Sequence, residues 1–460
     1  MNFDRLLKKI RKENAPKWET KALKEFTDNI YKDDRLNLVC ELIQNANDSY
    51  ANKVCFVVKS DEINLYHDGN PFNEIDITKI SRCGESKKKN KPTEKIIGRF
   101  GIGFKSVFKY CNEPQIYSTF HGENVGFKLK KIFSPYKIPP SNHNKRKLGK
   151  TRFCLRIRKN LSEEFINFIE NNGNDLLLFL PNINNISFII ESEEFIFQKK
   201  NEGDFVILRS NQKNKTSSEK FLLFKHKIKT GKENNVIKLA FKVEGKNKFI
   251  KDKQTNNLFT YFKLKVNTGL FFYFHAPFDL NFGRTVPEDS EDNEYIKKEC
   301  LRSLTKCFEH FKKKKYLNNS FLEILPNSDD ETPHSSYGDF LDEIRKNIIK
   351  NFKEYNFWPC KNNQYASAEN AYLHNEITEL LYNAKDLCLD VNNEQAKWSI
   401  NVEENSRGYK FAKDLNIICA EYNGSVKLLQ SKNNDWLIKY YSALYKRKKF
   451  SNEILIKTND

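Results

Sequence analysis

Methionine, paired cysteines and long apolar runs are all scarce in this chain. One Met among 460 residues excludes a Met-lined promiscuous groove. Ten Cys stand singly, at Cys40, Cys55, Cys83, Cys111, Cys154, Cys300, Cys307, Cys360, Cys388 and Cys419, with no CxxC pair. The eight His add no ligand-like spacing, so neither structural zinc nor a disulfide framework is expected. Free buried thiols in a reducing compartment are the simpler expectation. No apolar run approaches the roughly 20 residues of a spanning helix; the longest, 176–180 and 270–274, are strand-sized. The opening MNFDRLLKKIRKEN is charged and amphipathic, unlike a signal peptide. A soluble, cytoplasmic protein with no membrane partner is therefore expected.

What is present is aromatic and basic. With 37 Phe, 20 Tyr and 38% hydrophobic residues, the chain can fill several cores, and its length suits two or three domains. The net charge of +19 is unevenly spread. Residues 87–150 carry sixteen basic against three acidic side chains, and 199–265 carry eighteen against six. The remainder is slightly acidic, so two blocks face polyanions rather than the whole surface.

Helical periodicity is expected over 3–11, 18–31 and 34–50, the last with Leu38, Leu42, Ile43 and Ala46 on one face. Alternation predicts strands at 53–59 and 63–67, then a Lys-rich loop at 87–99 broken by Pro92. A strand at 151–158 and a helix near 162–171 follow. From about 185 to 277 the pattern turns to short Phe/Ile/Val-rich strands. An acidic turn leads into a helix ending at 312–315, with Cys300 and Cys307 on one face. A linker at 326–337 precedes a mixed region of no assigned fold.

The third helix places Glu41, Asn45 and Asp48 at spacings of four and three, on one stripe opposite its apolar face. A carboxylate, an amide and a second carboxylate so arranged suit a hydrated divalent cation and an oriented water. A solvated helix face reads the same way. Strand 63–67 runs into Asp68-Gly69-Asn70-Pro71-Phe72, and IGRFGIGFKSVF follows the Lys-rich loop. Glycines at 98, 101 and 103 let backbone N–H groups approach phosphate oxygens, or simply allow a tight turn. A P-loop fails by one residue, because Phe104 precedes Lys105. A dinucleotide fingerprint fails because position 106 is Ser.

Taken in order, ELIQNANDSYA, HDGNPF, CGESK and IGRFGIGFKSVFKYCNEPQIYS resemble the GHKL (Bergerat-fold) ATPases, and within them the sacsin-type branch. The resemblance covers 34–120 and extends to about 190, where LGKTRF offers Gly149 and Thr151 as a closing motif. It implies an α/β chain: a two-layer α/β sandwich ATPase domain at 1–190, a β-rich transducer-like domain at 191–325, and an unassigned mixed α/β region at 326–460. It also implies ATP and Mg2+ as ligands, with Glu41 as general base, Asn45 holding magnesium and Asp48 supporting the base or ribose side. Gly98, Gly101, Gly103, Lys105 and Ser106 would cradle the triphosphate. Arg82 to Glu94 would form a lid, with Ser86 and Lys87 near the phosphates.

The family's adenine-reading Asp is here His67, with Asp68 next to Gly69. Either Asp68 accepts from the adenine amino group, or His67 and water do so. Arg284, in HAPFDLNFGRTVPED, is the candidate basic residue reaching the terminal phosphate from the following domain. The expected activity is Mg-dependent ATP hydrolysis driving a conformational cycle on a macromolecular client, with prokaryotic defence as one setting. Chaperone-like action on proteins and non-hydrolysing nucleotide sensing are the alternatives. Expected partners are a second copy, strapped through the N-terminal helices by Phe3, Leu6, Leu7 and Ile10, and nucleic acid along 87–150 and 199–265.

Overall fold

A computed structural model of the chain describes residues 2–14, 37–82, 103–141, 149–213, 215–230, 233–253, 256–280, 286–330, 337–374, 396–419 and 433–447. They divide into two compact units. The first is 1–243 with 256–268 and 273–299, and the second is 244–255, 269–272 and 300–460. The chain is mixed α/β, built on a large mixed sheet of fifteen strands. The expected helix at 18–31 and the loop at 87–99 lie outside the described residues.

The first unit starts with α1 (Phe3–Asn14) and α2 (Asn37–Asp48), followed by the antiparallel hairpin β1 (Lys53–Val58) and β2 (Glu62–His67). The hairpin alternates as expected. Val54, Phe56, Val58, Ile63 and Leu65 enter the main core, while Cys55, Val57 and Tyr66 form a small cluster on the other face. Leu38, Val39, Leu42, Ile43 and Ala46 of α2 are buried in that same main core. Beyond β2, α3 (Glu74–Ile80) starts with a capping box in which Asn73 Oδ1 accepts from the backbone of Ile75 and Asp76.

A 3-10 helix (Gly103–Lys109) leads into β3 (Gln115–Phe120), β4 (Glu123–Lys130), β5 (Ser134–Ile138) and β6 (Thr151–Arg156). After α4 (Ser162–Asn172) and α5 (Asp175–Leu178), β7 (Asn185–Ile190) returns to pair in parallel with β1. Phe56 and Phe188 stack across that pair, with ring centroids 5.0 Å apart.

From β7 the ladder continues without a break through β8 (Glu193–Glu202), β9 (Phe205–Gln212), β10 (Lys215–Thr230) and β11 (Glu233–Glu244). Residue 190, the expected domain boundary, therefore lies at a hairpin inside the first unit. The strands here are longer than expected: β10 has 16 residues and β11 has 12. β12 (Lys248–Phe249), β13 (Asn256–Thr260), β14 (Phe262–Leu270) and β15 (Tyr273–His275) complete the sheet. Its order is β14-β13-β15-β11-β10-β9-β8-β7-β1-β2-β6-β3-β4-β5, with β12 paired to β11 off this path.

The apolar stripe of α1 is spent within this unit. Phe3, Leu6, Leu7 and Ile10 are buried in the main core, with Phe3 against Phe120 and Phe127 at 5.4 and 6.2 Å. This corrects the expectation of a dimer strap through that stripe, because a helix cannot offer a partner the face it buries at home.

Helix α6 (Glu291–Lys313) ends as expected and buries both Cys300 and Cys307. The second unit adds α7 (Asn319–Leu322), α8 (Gly338–Glu354), short strands including β16 (Trp358–Cys360) and β17 (Gln364–Ala366), and α9 (Arg407–Asp414). No helix among the described residues is long and apolar enough to cross a membrane.

Candidate functional site

Three segments of the first unit converge: the end of α2, the exit of β2 and the entry of β6. Asn70 N donates to Ser49 O at 2.7 Å, joining the β2 exit to the turn after α2. Asp68 Oδ1 accepts from the backbone N–H groups of Asn52 and Lys53, at 2.8 Å each, fixing the base of the hairpin. Lys150 N donates to His67 O at 2.8 Å, bringing in the start of β6, where His67 lies opposite Thr151.

Both glycines here answer to close approach. A Cβ on Gly69 would sit 2.6 Å from Ser49 O, and one on Gly149 would sit 2.5 Å from His67 O. The contact is backbone in each case and cannot swing aside. Thr151 Oγ1 and Ser118 Oγ share a hydrogen bond of 2.9 Å, and Phe72 N donates to Ser118 Oγ at 3.2 Å. This pair of buried hydroxyls holds the HDGNPF turn against β3 and β6. Ser118 was not anticipated; its only sequence signal is its place on the inward face of β3.

Glu41, Asn45 and Asp48 share the stripe expected of them. Glu41 is buried, while Asn45 and Asp48 are half-buried at the open end of the helix. Asn47, on another face, ties α2 to the chain entering β7: Asn182 N donates to its Oδ1 at 3.1 Å, and Asn182 Nδ2 to its carbonyl at 2.9 Å.

His67 is buried, and burial pushes its pKa down to about 4 against the opposing charge of Asp68. Its Nδ1 accepts from Gly69 N at 3.2 Å, so the neutral ring carries its proton on Nε2. Of the two candidate readers of a base, Asp68 thus has one oxygen committed to backbone, and His67 offers a ring N–H donor instead of a carboxylate.

Lys105 departs from the cradle expected of it. Its ammonium is fully buried, donating to Ile80 O and to Ile132 O (2.9 Å), and lies 5.0 Å from the Phe133 ring centroid. The chain winds here as a 3-10 helix, which turns position 105 toward the α3 terminus and the β4–β5 connection. Gly103 starts that helix. Ser106 is buried, and its hydroxyl has no hydrogen-bond partner among the described residues. Ser86, Lys87, Gly98, Gly101 and Arg284 lie outside the described residues.

Among the described residues, no three His, Cys, Asp or Glu side chains gather as a metal cluster. The α2 stripe nonetheless fits magnesium in kind, since that ion takes few protein ligands, all hard oxygens, and fills the rest with phosphate and water.

Residues 19–127 match the Sacsin domain model. That segment contains the α2 stripe, the HDGNPF turn and the GFKS helix start, but not Gly149 or Thr151. The Sacsin-domain link is thus carried by the same residues that build the α2 and β2 sides of the site. No curated protein matches the chain.

Proposed function

We propose that the first unit is a GHKL-type nucleoside-triphosphatase domain that binds ATP with Mg2+ between α2, the β2 exit and the β6 entry. The observation that carries this reading is that the end of α2, the helix bearing Glu41, Asn45 and Asp48, is joined to two close-packed glycine turns around His67. The Sacsin-domain match supports it through the α2 stripe and the Gly69 turn.

In this reading Glu41, held in a dry stripe on a rigid helix, takes a proton from the attacking water. The water oxygen bonds to the γ-phosphorus, and the bridging oxygen leaves with the diphosphate. Asn45 would hold a magnesium ion, which would supply charge neutralisation for the phosphates. Asp48 orients the ribose or base side, with His67, Gly69 and Gly149 shaping the wall behind it. Positioning and electrostatics carry most of such a reaction, which suits a site anchored by backbone hydrogen bonds. Hydrolysis would drive a conformational cycle on a macromolecular client, as in chaperone-type ATPases.

Mg-dependent ATP hydrolysis and nucleotide binding, compared in wild type and Glu41→Ala, test the reading. The variant is expected to keep ATP binding and to lose turnover roughly 100-fold or more, in keeping with the loss of a general base. Unchanged turnover removes Glu41 from the mechanism, and absent binding by the wild type removes the proposal.

A further inference from the structure

The extended half of the sheet carries a second concentration of chemistry, far from α2. Lys199 of β8, Lys225 of β10, Lys238 of β11 and His275 of β15 all point to the side of the sheet on which α5 packs. Lys225 pairs across the ladder with Lys238, and Lys238 with His275. Lys199 shares the inward face of β8 with Phe195 and Phe197. Counted along the strand order, Lys238 stands six strands from β2, about 29 Å at the usual strand spacing.

Two of these lysines are buried. Lys199 Nζ donates to Leu180 O, and Lys238 Nζ to Phe179 O at 3.1 Å, so neighbouring carbonyls just past α5 anchor both ammonium groups. Burial first, and then the charges of Lys238 and Lys225, bring the pKa of Lys199 down to about 7. His275 is fully buried between the rings of Phe179 and Tyr261, at 5.0 and 4.8 Å. Neither of its ring nitrogens completes a hydrogen bond, although its own carbonyl and that of Val236 lie near. His226, two strands away on β10, faces the opposite side and pairs with Glu299 at 3.0 Å.

The buried group opens onto a row of charge. Lys225, Lys227 and Lys229 alternate along β10, so all three share the face of Lys238, and all three are exposed. None has a hydrogen-bond or ion-pair partner among the described residues. Their spacing along the strand is about 7 Å. Capping the carbonyls after α5 explains one donor of each buried lysine. It leaves unexplained a fully buried imidazole beside the two lysines, and a run of exposed cations leading to them.

We propose that this face is an oligophosphate-binding site, in which Lys225, Lys227 and Lys229 hold successive phosphates and Lys199, Lys238 and His275 seat one at the buried end. The aromatic rings beside it are buried, so bases have no platform to stack on, and recognition is by phosphate charge alone. A free oligophosphate and the backbone of a single-stranded nucleic acid share that chemistry.

The test uses the full chain with two probes, tripolyphosphate and a dye-labelled single-stranded oligonucleotide, at several salt concentrations. Lys225→Ser/Lys227→Ser/Lys229→Ser alters exposed side chains only. It is expected to weaken binding at least roughly tenfold and, for the oligonucleotide, to flatten the log–log salt dependence by about 2, near 0.7 per phosphate contact. Lys199→Met/Lys238→Met should weaken tripolyphosphate binding by a similar factor while leaving ATP binding unchanged. Competition between the probes assigns the site to a nucleic-acid backbone, and tripolyphosphate binding alone assigns it to a small oligophosphate. Unchanged affinity in the exposed triple variant overturns the proposal, because tripolyphosphate held at the α2 site would survive those substitutions. Failure of the wild type to bind either probe overturns it as well.

Discussion

At the scale of single residues, His67 ties the β2 exit to the entry of β6. Its ring accepts from Gly69 N while its backbone receives Lys150 N and crowds Gly149. Burial holds it neutral in the folded protein, with its pKa down at about 4 in place of the ordinary 6.5. Between those values the unfolded chain binds a proton that the folded chain refuses, so stability must fall as pH drops from 6.5 to 4. The contribution is on the order of 3 kcal/mol at most, since a tenfold change in proton affinity corresponds to about 1.4 kcal/mol. Urea unfolding of wild type and His67→Asn at pH 6.5, 5.5 and 4.5 should show a steeper loss in the wild type; parallel curves would refute the assignment. Gly149→Ala sets a Cβ against the His67 carbonyl and should cost about 1–3 kcal/mol in the same assay, as overpacking does. Gly149 and Thr151 were legible as a motif because close backbone approach leaves a glycine in the sequence. The burial of Lys105 was not, since a lysine beside glycines reads equally as a phosphate ligand or as a tether for carbonyls. Only the 3-10 winding decides between them.

At the scale of elements, what was legible followed periodicity. Helices α2, α4 and α6 and the β1–β2 hairpin lie close to where their apolar spacing puts them, because each buries one continuous face. The length of β10 and β11 was hidden: Lys alternates with His226 and Ile228 over 225–229, and the pattern read as short strands. The C-terminal region was illegible because its short elements are joined by contacts far apart in sequence, the Phe352–Phe411 pair and one polar junction among them. Arg407 donates to both oxygens of Asp330, at 2.7 and 2.6 Å, and to the carbonyls of Glu323 and Leu325, and it lies 4.6 Å from the Phe271 ring centroid. Glu323 in turn accepts from the N–H groups of Arg407 and Gly408 at the start of α9. Arg407→Ala takes the guanidinium from a largely buried carboxylate, which keeps Asn327 N, and from two carbonyls, and this costs about 3 kcal/mol. Arg407→Lys should recover little of it, since an ammonium cannot reproduce the fork. A urea midpoint for Arg407→Lys close to that of wild type would show that charge alone suffices.

At the scale of the whole molecule, the change in composition near residue 185 suggested a domain boundary, and the hydrogen-bond ladder crosses it. β7 pairs with β1 on one side and with β8 on the other, and Phe188 packs against both Phe56 and Phe197, the latter at 6.3 Å. A fragment ending at residue 190 would expose the apolar edge of β7 and strip the core of Phe195, Phe197, Val206 and Leu208. Unpaired, strongly apolar edge strands seek other edges, so that fragment should aggregate on expression. A fragment of residues 1–299 keeps every strand of the first unit and should stay soluble and melt cooperatively. Soluble yield and circular-dichroism melting of the two fragments decide the point. If 1–190 is soluble and melts in one cooperative step, the β1–β7 pair closes the core without β8, and the extended sheet is an addition to a domain that stands alone. If only 1–299 does, the α2 site and the lysine-lined face belong to one folding unit. Substitutions in the β8–β11 ladder that destabilise that unit would then lower nucleotide binding without touching the site.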